Sequence, residues 1–572
     1  MPGRTPHAWR GCGDGVQDQT GIRELRTLAR DWPSWALTPR QLADLELLTN
    51  GGFHPLNGFL GRADYDTVVQ SMRLADGTLW PIPITLDVDA AFAAKLQPGA
   101  GLTLRDPEGV ALAVVRPSDV WQPDLEQEAL HVYGTTDPDH PGVAALLRGG
   151  DTYVGGRVVA LQPIERHDHV EHRHTPAELR AEFARRGWTR IVAFQTRNPI
   201  HRSHFELTQR AARALDAKLL LHPVVGPTKP GDLDPDTRVA TYRAVLAEYP
   251  PESTLLSLLP LAMRMAGPRE AVLHAIVRRN HGCTHLIVGR DHAGPGTDAA
   301  GKPFYGPLDA QRLAQAHADE IGIGIVASEE LVYVADLDRH VTRAEVPTGA
   351  QVTTLSGTEL RNLLRSGTPI PSWYTFESVA RVLQAGHPPR DRQGCTLFFT
   401  GLSGAGKSTI AIALRALLGE RTDRRVTVLD GDIVRRHLSS ELGFSRRDRD
   451  LNIRRIGFVA SEITRHGGIA ICAPIAPYDA VRREVRAMVE PHGGFVLVHV
   501  ATPLDVCEAR DRKGLYARAR AGTLPAFTGI SDPYEAPTDA EIVLDASGGT
   551  PAEHAGRIVD WLVREGYLAS PR

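Results

Sequence analysis

The spacing of apolar positions changes along the chain, and the first part reads as short strands. Three runs before about residue 165 are β-prone and separated by turn residues: Trp80–Val88 (WPIPITLDV), Gly101–Leu104 and Gly109–Val115 (GVALAVV). Short runs of this kind, bounded by turn residues, predict a β-rich region.

After residue 175 the pattern alternates between two periods. Thr175–Arg186 and His204–Leu215 have helical spacing, whereas Thr189–Phe194 and Ala217–Val224 are short apolar runs. Helices alternating with short apolar strands are typical of a parallel α/β sheet. The sequence therefore predicts a second, α/β region.

A third region begins after a polar stretch rich in proline and glycine, Ala385–Gly394, which reads as a linker. The apolar run Cys395–Thr400 predicts a strand, and Ser408–Leu418 (STIAIALRALL) has helical spacing. With 572 residues, a prior of one domain per ~150 residues suggests three or four domains. We place them at 1–170, 171–385 and 395–572, with a linker at 386–394.

Composition narrows the class of protein. The chain is 42% hydrophobic with a formal charge of −3, which gives no reason to expect nucleic acid as a partner. No uncharged apolar run approaches 18 residues, and the start (MPGRTPHAWRGCGDG) has no apolar signal core. We expect a cytoplasmic enzyme without a membrane partner. Four histidines in His167–His174 could suggest a metal site, but no cysteine or catalytic pattern accompanies them, and we favour a solvated loop.

The loop between the third region's strand and helix reads GLSGAGKS, which is the phosphate-loop pattern. Glycines at 401, 404 and 406 let successive N–H groups point at one anion. Lys407 places a charge against the outer phosphates, and the Ser408 hydroxyl suits Mg²⁺. We expect ATP to bind here with Mg²⁺ as the cofactor.

A second candidate site follows the strand that ends at Phe194. Gln195–His204 (QTRNPIHRSH) leads from this strand into a helix, where α/β sheets bind ligands and free N–H groups favour anions. Arg197 offers a planar fork for an oxyanion. His201 and His204 can donate to phosphate oxygens; a metal pair is the alternative, but its usual i, i+4 spacing is absent.

Two further segments carry polar residues in the same region: Met263–Glu270 (MRMAGPRE) and Thr284–Gly296 (THLIVGRDHAGPG). The second places Gly289–His292 directly after an apolar strand. Its glycines would let the backbone approach a ligand closely.

These three segments together closely resemble the ATP sulfurylase family, as does Asn50–Phe59 (NGGFHPLNGF). The resemblance covers roughly residues 20–385 and implies a PUA-like β-rich N-terminal domain followed by an α/β nucleotidyltransferase domain of the HxxH type. It implies a catalytic loop of Thr196, Arg197 and Asn198, and sulfate binding by Gln195, Arg197 and Ala293. The ATP-binding residues that it implies are Gln195, Asn198, His201, His204, Gly289, Arg290, Asp291, His292 and Leu331.

The third region resembles adenylylsulfate (APS) kinase in GLSGAGKST, Leu429–Arg435, Asn452–Arg455, Asp511–Tyr516 and Phe527–Ile530. The fold implied is a P-loop kinase domain with a parallel sheet. Lys407 and Asp430 would be catalytic, with Asp430 orienting Mg²⁺ or the attacking hydroxyl. The implied ATP-binding residues are Gly401, Leu402, Ser403, Gly404, Ala405, Gly406, Lys407, Ser408 and Thr409. Those implied for APS are Asp432, Arg435, Phe444, Arg449, Asn452, Ile475, Ala476, Lys513 and Phe527.

One position departs from that family. Many members carry serine where this chain has Ala476, in Ile475–Tyr478 (IAPY). Alanine has no hydroxyl, so a phosphoserine intermediate cannot form there, and γ-phosphoryl transfer would have to be direct.

The sequence therefore predicts a bifunctional, sulfate-activating enzyme, with ATP, sulfate and adenylyl sulfate as its small-molecule partners and a homo-oligomeric state. Two alternatives stay open. The third region could be a regulatory module that binds APS without turnover, although Lys407, Ser408 and Asp430 are intact. The second region could adenylylate an organic phosphate, although the QTRN loop argues against this.

Overall fold

The computed structural model describes residues 19–96, 100–229, 232–386, 388–511 and 513–569. Parts of the predicted first domain (1–18), of the linker (387) and of the kinase-like region (512 and 570–572) lie outside this range. The described chain forms two compact units. Unit 1 contains the described residues up to Leu355 together with Pro371–Leu383, and unit 2 contains Ser356–Ile370 and the described residues from Gln384 onwards.

The first part of unit 1 is built around a mixed sheet. Its elements are α1 (Gln19–Leu28), β1 (Ser34–Ala36), α2 (Pro39–Asn50), β2 (Gly58–Phe59), α3 (Arg62–Ser71), β3 (Leu86–Val88), α4 (Ala90–Ala93), β4 (Leu102–Arg105), β5 (Ala111–Trp121), α5 (Leu125–Tyr133), α6 (Pro141–Leu147) and β6 (Thr152–Ala160). The strand order is β1-β4-β5-β6-β2, and β3 also pairs with β6.

The prediction of a β-rich first region is confirmed, but Trp80–Val88 is irregular for most of its length and a strand only at Leu86–Val88. Pro81 and Pro83 carry no N–H and cannot donate to a ladder, so the pairing begins only beyond them. The chain there is still buried, with Trp80 and Ile82 in the core.

The second part of unit 1 is the predicted α/β region. Its elements are α7 (Pro176–Arg185), β7 (Ile191–Phe194), α8 (Arg202–Ala214), β8 (Lys218–Leu221), α9 (Pro235–Leu246), β9 (Thr254–Leu256), α10 (Gly267–Asn280), β10 (His285–Val288), α11 (Asp309–Ala316), α12 (Ala318–Ile321), β11 (Gly324–Ala327), β12 (Leu331–Val334), β13 (Arg339–Thr342) and β14 (Val352–Thr353). Short 3₁₀ turns lie at Val170–His172, Ala335–Leu337 and Arg343–Glu345.

Five of these strands form a wholly parallel sheet in the order β11-β10-β7-β8-β9. All four residues of β7 are buried, as expected for a strand covered by helices on both faces. Strands β13, β12 and β14 form a small antiparallel sheet. Local sequence sets the helix starts: Thr175 and Glu178 form a capping box at α7, with Pro176 in the first turn.

Unit 2 holds α13 (Gly357–Ser366), and α14 (Glu377–Gly386) leads into it. It continues with β15 (Cys395–Thr400), α15 (Lys407–Arg421), β16 (Val426–Asp430), α16 (Gly431–His437), α17 (Arg446–Arg465), β17 (Ile469–Ala473), α18 (Asp479–Val489), β18 (Gly494–Val500), α19 (Leu504–Arg510), α20 (Leu515–Arg520), β19 (Ile542–Leu544) and α21 (Pro551–Arg564). The sheet is parallel throughout, in the order β16-β17-β15-β18-β19. This confirms the predicted parallel sheet, with the glycine-rich loop leaving the central strand.

Candidate active sites

The first candidate site lies where β7 and β10 end side by side. The two strands pair in parallel, with Ile287 opposite Phe194. Gln195 and Gly289, which follow these strands, therefore leave the sheet at the same edge, where α/β sheets bind ligands. The structure thus brings together two segments that the sequence analysis found far apart.

The loop after β7 is a compact turn. The Thr196 hydroxyl accepts from the Asn198 amide at 3.0 Å and donates to the Asn198 carbonyl at 2.9 Å. Thr196 and Gln195 are buried, whereas Asn198 is exposed. The Gln195 side-chain nitrogen lies 3.8 Å from the Met263 sulfur. Of these predicted residues, Asn198 is the one that faces solvent.

His201 and His204 begin α8 and are electrically neutral. The His201 amide donates to His204 Nδ1 at 3.2 Å, which places the proton of His204 on Nε2. His201 Nδ1 lies 3.0 Å from the Thr375 hydroxyl, and its ring packs 4.3 Å from that of Tyr374. Burial lowers the pKa of His201 to about 3 and that of His204 to about 4. His204 can therefore offer phosphate an N–H donor but no charge.

Arg197 is the cation of the predicted catalytic loop Thr196–Asn198, and a carboxylate already contacts it. Its Nε lies 3.2 Å from Asp232 Oδ2, and both side chains are largely buried. Its NH1 lies 3.5 Å from the Met265 sulfur, and its NH2 lies 3.5 Å from the Gly294 carbonyl oxygen. An anion that binds Arg197 must compete with Asp232 or share the guanidinium with it.

We therefore expect Asp232→Asn to lower the KM for sulfate in an ATP–pyrophosphate exchange assay. Asparagine removes the competing charge, and a contact worth about 1 kcal/mol changes affinity about fivefold. Asp236→Asn is the matched control, because Asp236 is exposed and its carboxylate lies near His169. A raised KM for sulfate in Asp232→Asn would mean instead that Asp232 orients Arg197 for binding.

The segment after β10 supplies the other predicted residues of this site. Arg290 is exposed and donates to Glu330 at 2.9 Å, next to Leu331 at the start of β12. Asp291 and Ala293 have left-handed backbone, with φ of 50° and 55°. His292 is buried, and its Nε2 lies 2.9 Å from His274 Nδ1.

The described residues contain no group of three His, Cys, Asp or Glu side chains able to hold a metal. Within the histidine cluster, His169 lies 3.7 Å from Asp236 and His172 lies 3.7 Å from Glu171. His174 contacts the Ser257 hydroxyl at 3.2 Å.

The second candidate site is the glycine-rich loop of unit 2. Gly401, Gly404 and Gly406 have φ of 148°, 73° and 105°, which L-residues with side chains rarely adopt. Lys407 Nζ donates to the carbonyls of Gly401 and Leu402 at 2.8 and 2.7 Å. These two contacts hold the amine inside the loop. Burial lowers the pKa of Lys407 to about 8, and because this is above 7, the amine retains most of its charge at pH 7.

Oxygen ligands for a cation meet at the start of α15. The Ser408 hydroxyl donates to Asp430 Oδ2 at 2.6 Å, and Asp430 Oδ1 accepts from the Asp432 amide at 3.0 Å. Mg²⁺ prefers oxygen ligands and takes one or two from the protein with the rest from phosphates and water. Ser408 and Asp430 therefore fit the predicted cofactor.

The residues predicted to bind APS fall into two groups. Lys513 pairs with Asp432 at 2.5 Å, and the Arg435 guanidinium lies 4.4 Å from the exposed Phe444 ring. In the second group, Arg449 contacts the loop that carries Phe527. Arg449 donates to Asp532 at 2.5 Å, to Thr528 at 3.0 Å, and to the Ala526 carbonyl.

Of the other residues predicted to bind APS, Asn452 and Phe527 are buried and Ile475 is half-buried. The Ile475 carbonyl accepts from the Thr400 hydroxyl at 2.7 Å. Asn452 is buried on α17, and its Oδ1 has no hydrogen-bond partner among the described residues. The Phe527 ring packs edge-on against Tyr516 at 5.0 Å, so only part of it can meet an adenine.

Ala476 is 1% exposed and has a left-handed φ of 44°. Its carbonyl accepts from the Arg482 guanidinium at 2.8 Å and from the Thr400 hydroxyl at 3.1 Å. The Tyr478 hydroxyl, the nearest hydroxyl along the chain, donates to Asp532 at 2.6 Å. The segment is thus held by its backbone and offers no free side-chain nucleophile.

Sequence reasoning missed the acidic partner of Arg197, which is Asp232, and that of Arg449, which is Asp532. Each lies far along the chain from its arginine, in a polar stretch with no pattern to single it out. Glu270, at the end of the segment MRMAGPRE, had no predicted role. No described helix is long and apolar enough to cross a bilayer.

Comparison with known proteins relates each of the three regions to a protein family. The ATP-sulfurylase family model matches residues 170–385, the adenylylsulphate kinase model matches 393–545, and a PUA-like domain model matches 6–163. A sulfate adenylyltransferase of Emericella nidulans is 51% identical over 95% of this chain and 96% of its own length. One from Chaetomium globosum is 50% identical over 97% of each chain.

A solved structure described as a hexameric APS kinase from Thiobacillus denitrificans is 41% identical. It matches with a TM-score of 0.78, over 96% of this chain and 97% of that one. Two catalytic regions in one polypeptide, each matched by its own model and together spanned by full-length relatives, define the class of protein. The chain belongs to the sulfate adenylyltransferase (ATP-sulfurylase) family and is bifunctional, with an adenylylsulphate kinase domain in the same polypeptide.

Proposed function

We propose that the chain converts ATP and sulfate to adenylyl sulfate and pyrophosphate at the first site. It then uses a second ATP at the second site to make 3′-phosphoadenylyl sulfate and ADP. The observation that carries the second step is the intact set of Lys407, Ser408 and Asp430 around the glycine-rich loop. Formation of the sulfate–phosphate anhydride is unfavourable, so removal of adenylyl sulfate by a second reaction draws the first one forward.

In the first step a sulfate oxygen attacks the α-phosphorus of ATP, and pyrophosphate leaves. Sulfate needs no deprotonation, so the site has to position two anions that repel each other and to stabilise charge on phosphorus. We assign sulfate binding to Arg197, Gln195 and the backbone at Ala293. His201 and His204 would donate to phosphate as neutral rings, consistent with their lowered pKa values.

In the second step the 3′-hydroxyl of adenylyl sulfate attacks the γ-phosphorus of ATP. Lys407 would neutralise the outer phosphates, and Ser408 with Asp430 would hold Mg²⁺, which supplies further charge neutralisation when bound. Asp430 can also accept a hydrogen bond from the attacking hydroxyl. We assign APS binding to Arg435, Phe444, Lys513 and their neighbours on the rim of this site.

A regulatory module without turnover is the second candidate for unit 2. The fungal relatives span the kinase region as well, yet their names mention the adenylyltransferase step alone. The Thiobacillus protein, of similar length, is described as an APS kinase. The phosphate-loop geometry favours an active kinase, because a module that only binds APS needs neither Lys407 nor the Ser408–Asp430 pair.

The test is a coupled assay with ATP, sulfate, Mg²⁺ and pyrophosphatase, followed by nucleotide chromatography. We expect 3′-phosphoadenylyl sulfate as the end product. Accumulation of adenylyl sulfate alone would establish the regulatory alternative for unit 2. In a parallel assay with labelled ATP and added organic phosphates, adenylylation of an organic phosphate in place of sulfate would refute the assignment of the first site.

Ala476 leads to a prediction about the route of phosphoryl transfer. Because no side-chain nucleophile is available there, we expect one in-line displacement, which inverts configuration at a chiral γ-phosphorus. The wild-type protein should give no acid-stable phosphopeptide from Ile471–Ala480, and Ala476→Ser, which supplies the hydroxyl, is the matched comparison. Retention of configuration in the wild type would show a phosphoenzyme instead.

Three further assignments complete the proposal. We place the domain boundaries at 170 and 385, with a linker at 386–394. We propose a homo-oligomer, for which the description of the Thiobacillus protein as hexameric gives support and light scattering gives a measurement. The cytoplasmic location stays a prediction from the sequence.

A further inference from the structure

Four residues with left-handed backbone lie in two segments beside the first site. Met265 and Gly267 have φ of 61° and 48°, and Asp291 and Ala293 have φ of 50° and 55°. Outside glycine, this backbone conformation is strained and persists only where the surroundings impose it. The structure must therefore contain groups that hold these two segments.

Glu270, in the first turn of α10, holds the first segment. Its Oε1 accepts from the Arg264 amide at 2.8 Å, and its Oε2 accepts from the Ala266 amide at 3.0 Å. The two bonds bracket Met265, whose sulfur lies 3.5 Å from the Arg197 guanidinium. Glu270 is fully buried, so water cannot replace these bonds if the carboxylate is lost.

His274 holds the second segment from the next turn of the same helix. Its Nδ1 lies 2.9 Å from His292 Nε2, and its Nε2 lies 3.6 Å from Glu270 Oε1. Burial lowers the pKa of both rings, so both are neutral. A carboxylate can only accept, so the His274 proton belongs on the nitrogen that faces Glu270. His274 Nδ1 then accepts a hydrogen bond from His292.

The two segments are also joined directly, because the Gly267 amide donates to the Ala293 carbonyl at 3.2 Å. We propose that Glu270 and His274 are positioning residues for adenylyl transfer. They fix the two strained segments against Arg197. His274 holds the segment that contains Asp291 and Ala293 through its hydrogen bond to the His292 ring. His292 then contributes to ATP binding indirectly, because it anchors the backbone of this segment. The inference rests on the proposed function of the first site.

Two substitutions at position 274 separate the contacts. Asparagine places its amide near the position of Nδ1, so it can still accept a hydrogen bond from His292. Glutamine places its amide towards Glu270, so it cannot accept a hydrogen bond from His292. We expect His274→Asn to stay near wild type in kcat/KM for ATP–pyrophosphate exchange. His274→Gln should lose about 10²-fold, the cost of a small misplacement of reacting groups.

A double-mutant cycle tests the hydrogen bond between His274 and His292. His292→Asn removes the same hydrogen bond from the other side, so the double variant with His274→Gln should be no worse than either single variant. Losses that multiply would show that His292 contacts ATP independently and would overturn the inference. Equal activity of His274→Gln and wild type would also overturn it.

Thermal unfolding of the same preparations serves as the control for the folding of unit 1, because the kinase site lies in unit 2. If His274→Gln does not fold, His292→Asn and His274→Asn are compared instead. We expect a loss of exchange activity in His292→Asn and none in His274→Asn. Wild-type protein without sulfate-dependent exchange would instead refute the proposed function of the site, which is a separate outcome.

Discussion

Replacing Lys407 with alanine is expected to stop the second reaction and leave adenylyl sulfate as the end product. The amine lies inside the glycine-rich loop, 2.8 and 2.7 Å from the carbonyls of Gly401 and Leu402, where the outer phosphates of ATP would replace those oxygens. Loss of a single preorganised donor costs about 10²–10³ in turnover, and Lys407 also carries charge. We expect a loss at the upper end of this range or beyond it.

The measurement is chromatography of the nucleotides formed from ATP and sulfate with pyrophosphatase present. The same chain provides the control, because Lys407→Ala should retain wild-type pyrophosphate exchange at the first site. Formation of 3′-phosphoadenylyl sulfate at the wild-type rate would show that Lys407 has no part in the transfer. A wild-type protein that also stops at adenylyl sulfate would favour the regulatory alternative.

The sequence predicted those parts of the fold that depend on neighbouring residues. Cys395–Thr400 is an uninterrupted apolar run, and it forms a fully buried strand at the centre of the sheet. β7 was predicted from a similar apolar run, and the helix after it from the helical spacing of its apolar residues. Trp80–Val88 shows the limit of such patterns, because hydrophobicity explained its burial but proline decided its pairing.

The parts of the sites that could not be predicted are contacts between distant residues. Arg449 and Asp532 are 83 positions apart, and His274 and His292 are 18 apart. Each pair meets because separate elements pack together, and no local spacing encodes the contact. Glu270 and His274, by contrast, share a helix face at i, i+4, a spacing that could have been seen in the sequence once the helix was assigned.

The second large effect is expected at Arg197, because its guanidinium lies 3.5 Å from the carbonyl of Gly294, the residue after Ala293. Arg197→Ala should lower sulfate-dependent pyrophosphate exchange by about 10²–10³, while kinase activity on added adenylyl sulfate stays intact. The variant also leaves the buried Asp232 carboxylate without its partner, so a lower melting temperature is expected as well. Unfolding of unit 1 would be recognised from its melting curve, because the kinase site lies in the other unit.

Arg213→Ala provides the matched control, since Arg213 lies at the far end of α8, where it pairs with Glu206 at 3.1 Å and is mostly exposed. Exposed substitutions of this kind change stability by about 0.5 kcal/mol or less, so exchange should be unaffected. The double variant Arg197→Ala with Asp232→Asn separates the two consequences of losing Arg197. It should recover thermal stability, because no unpaired carboxylate remains, but it should not recover exchange, because the charge that binds sulfate is still missing. Recovery of exchange in the double variant would show that the unpaired Asp232, and not the absent guanidinium, caused the loss.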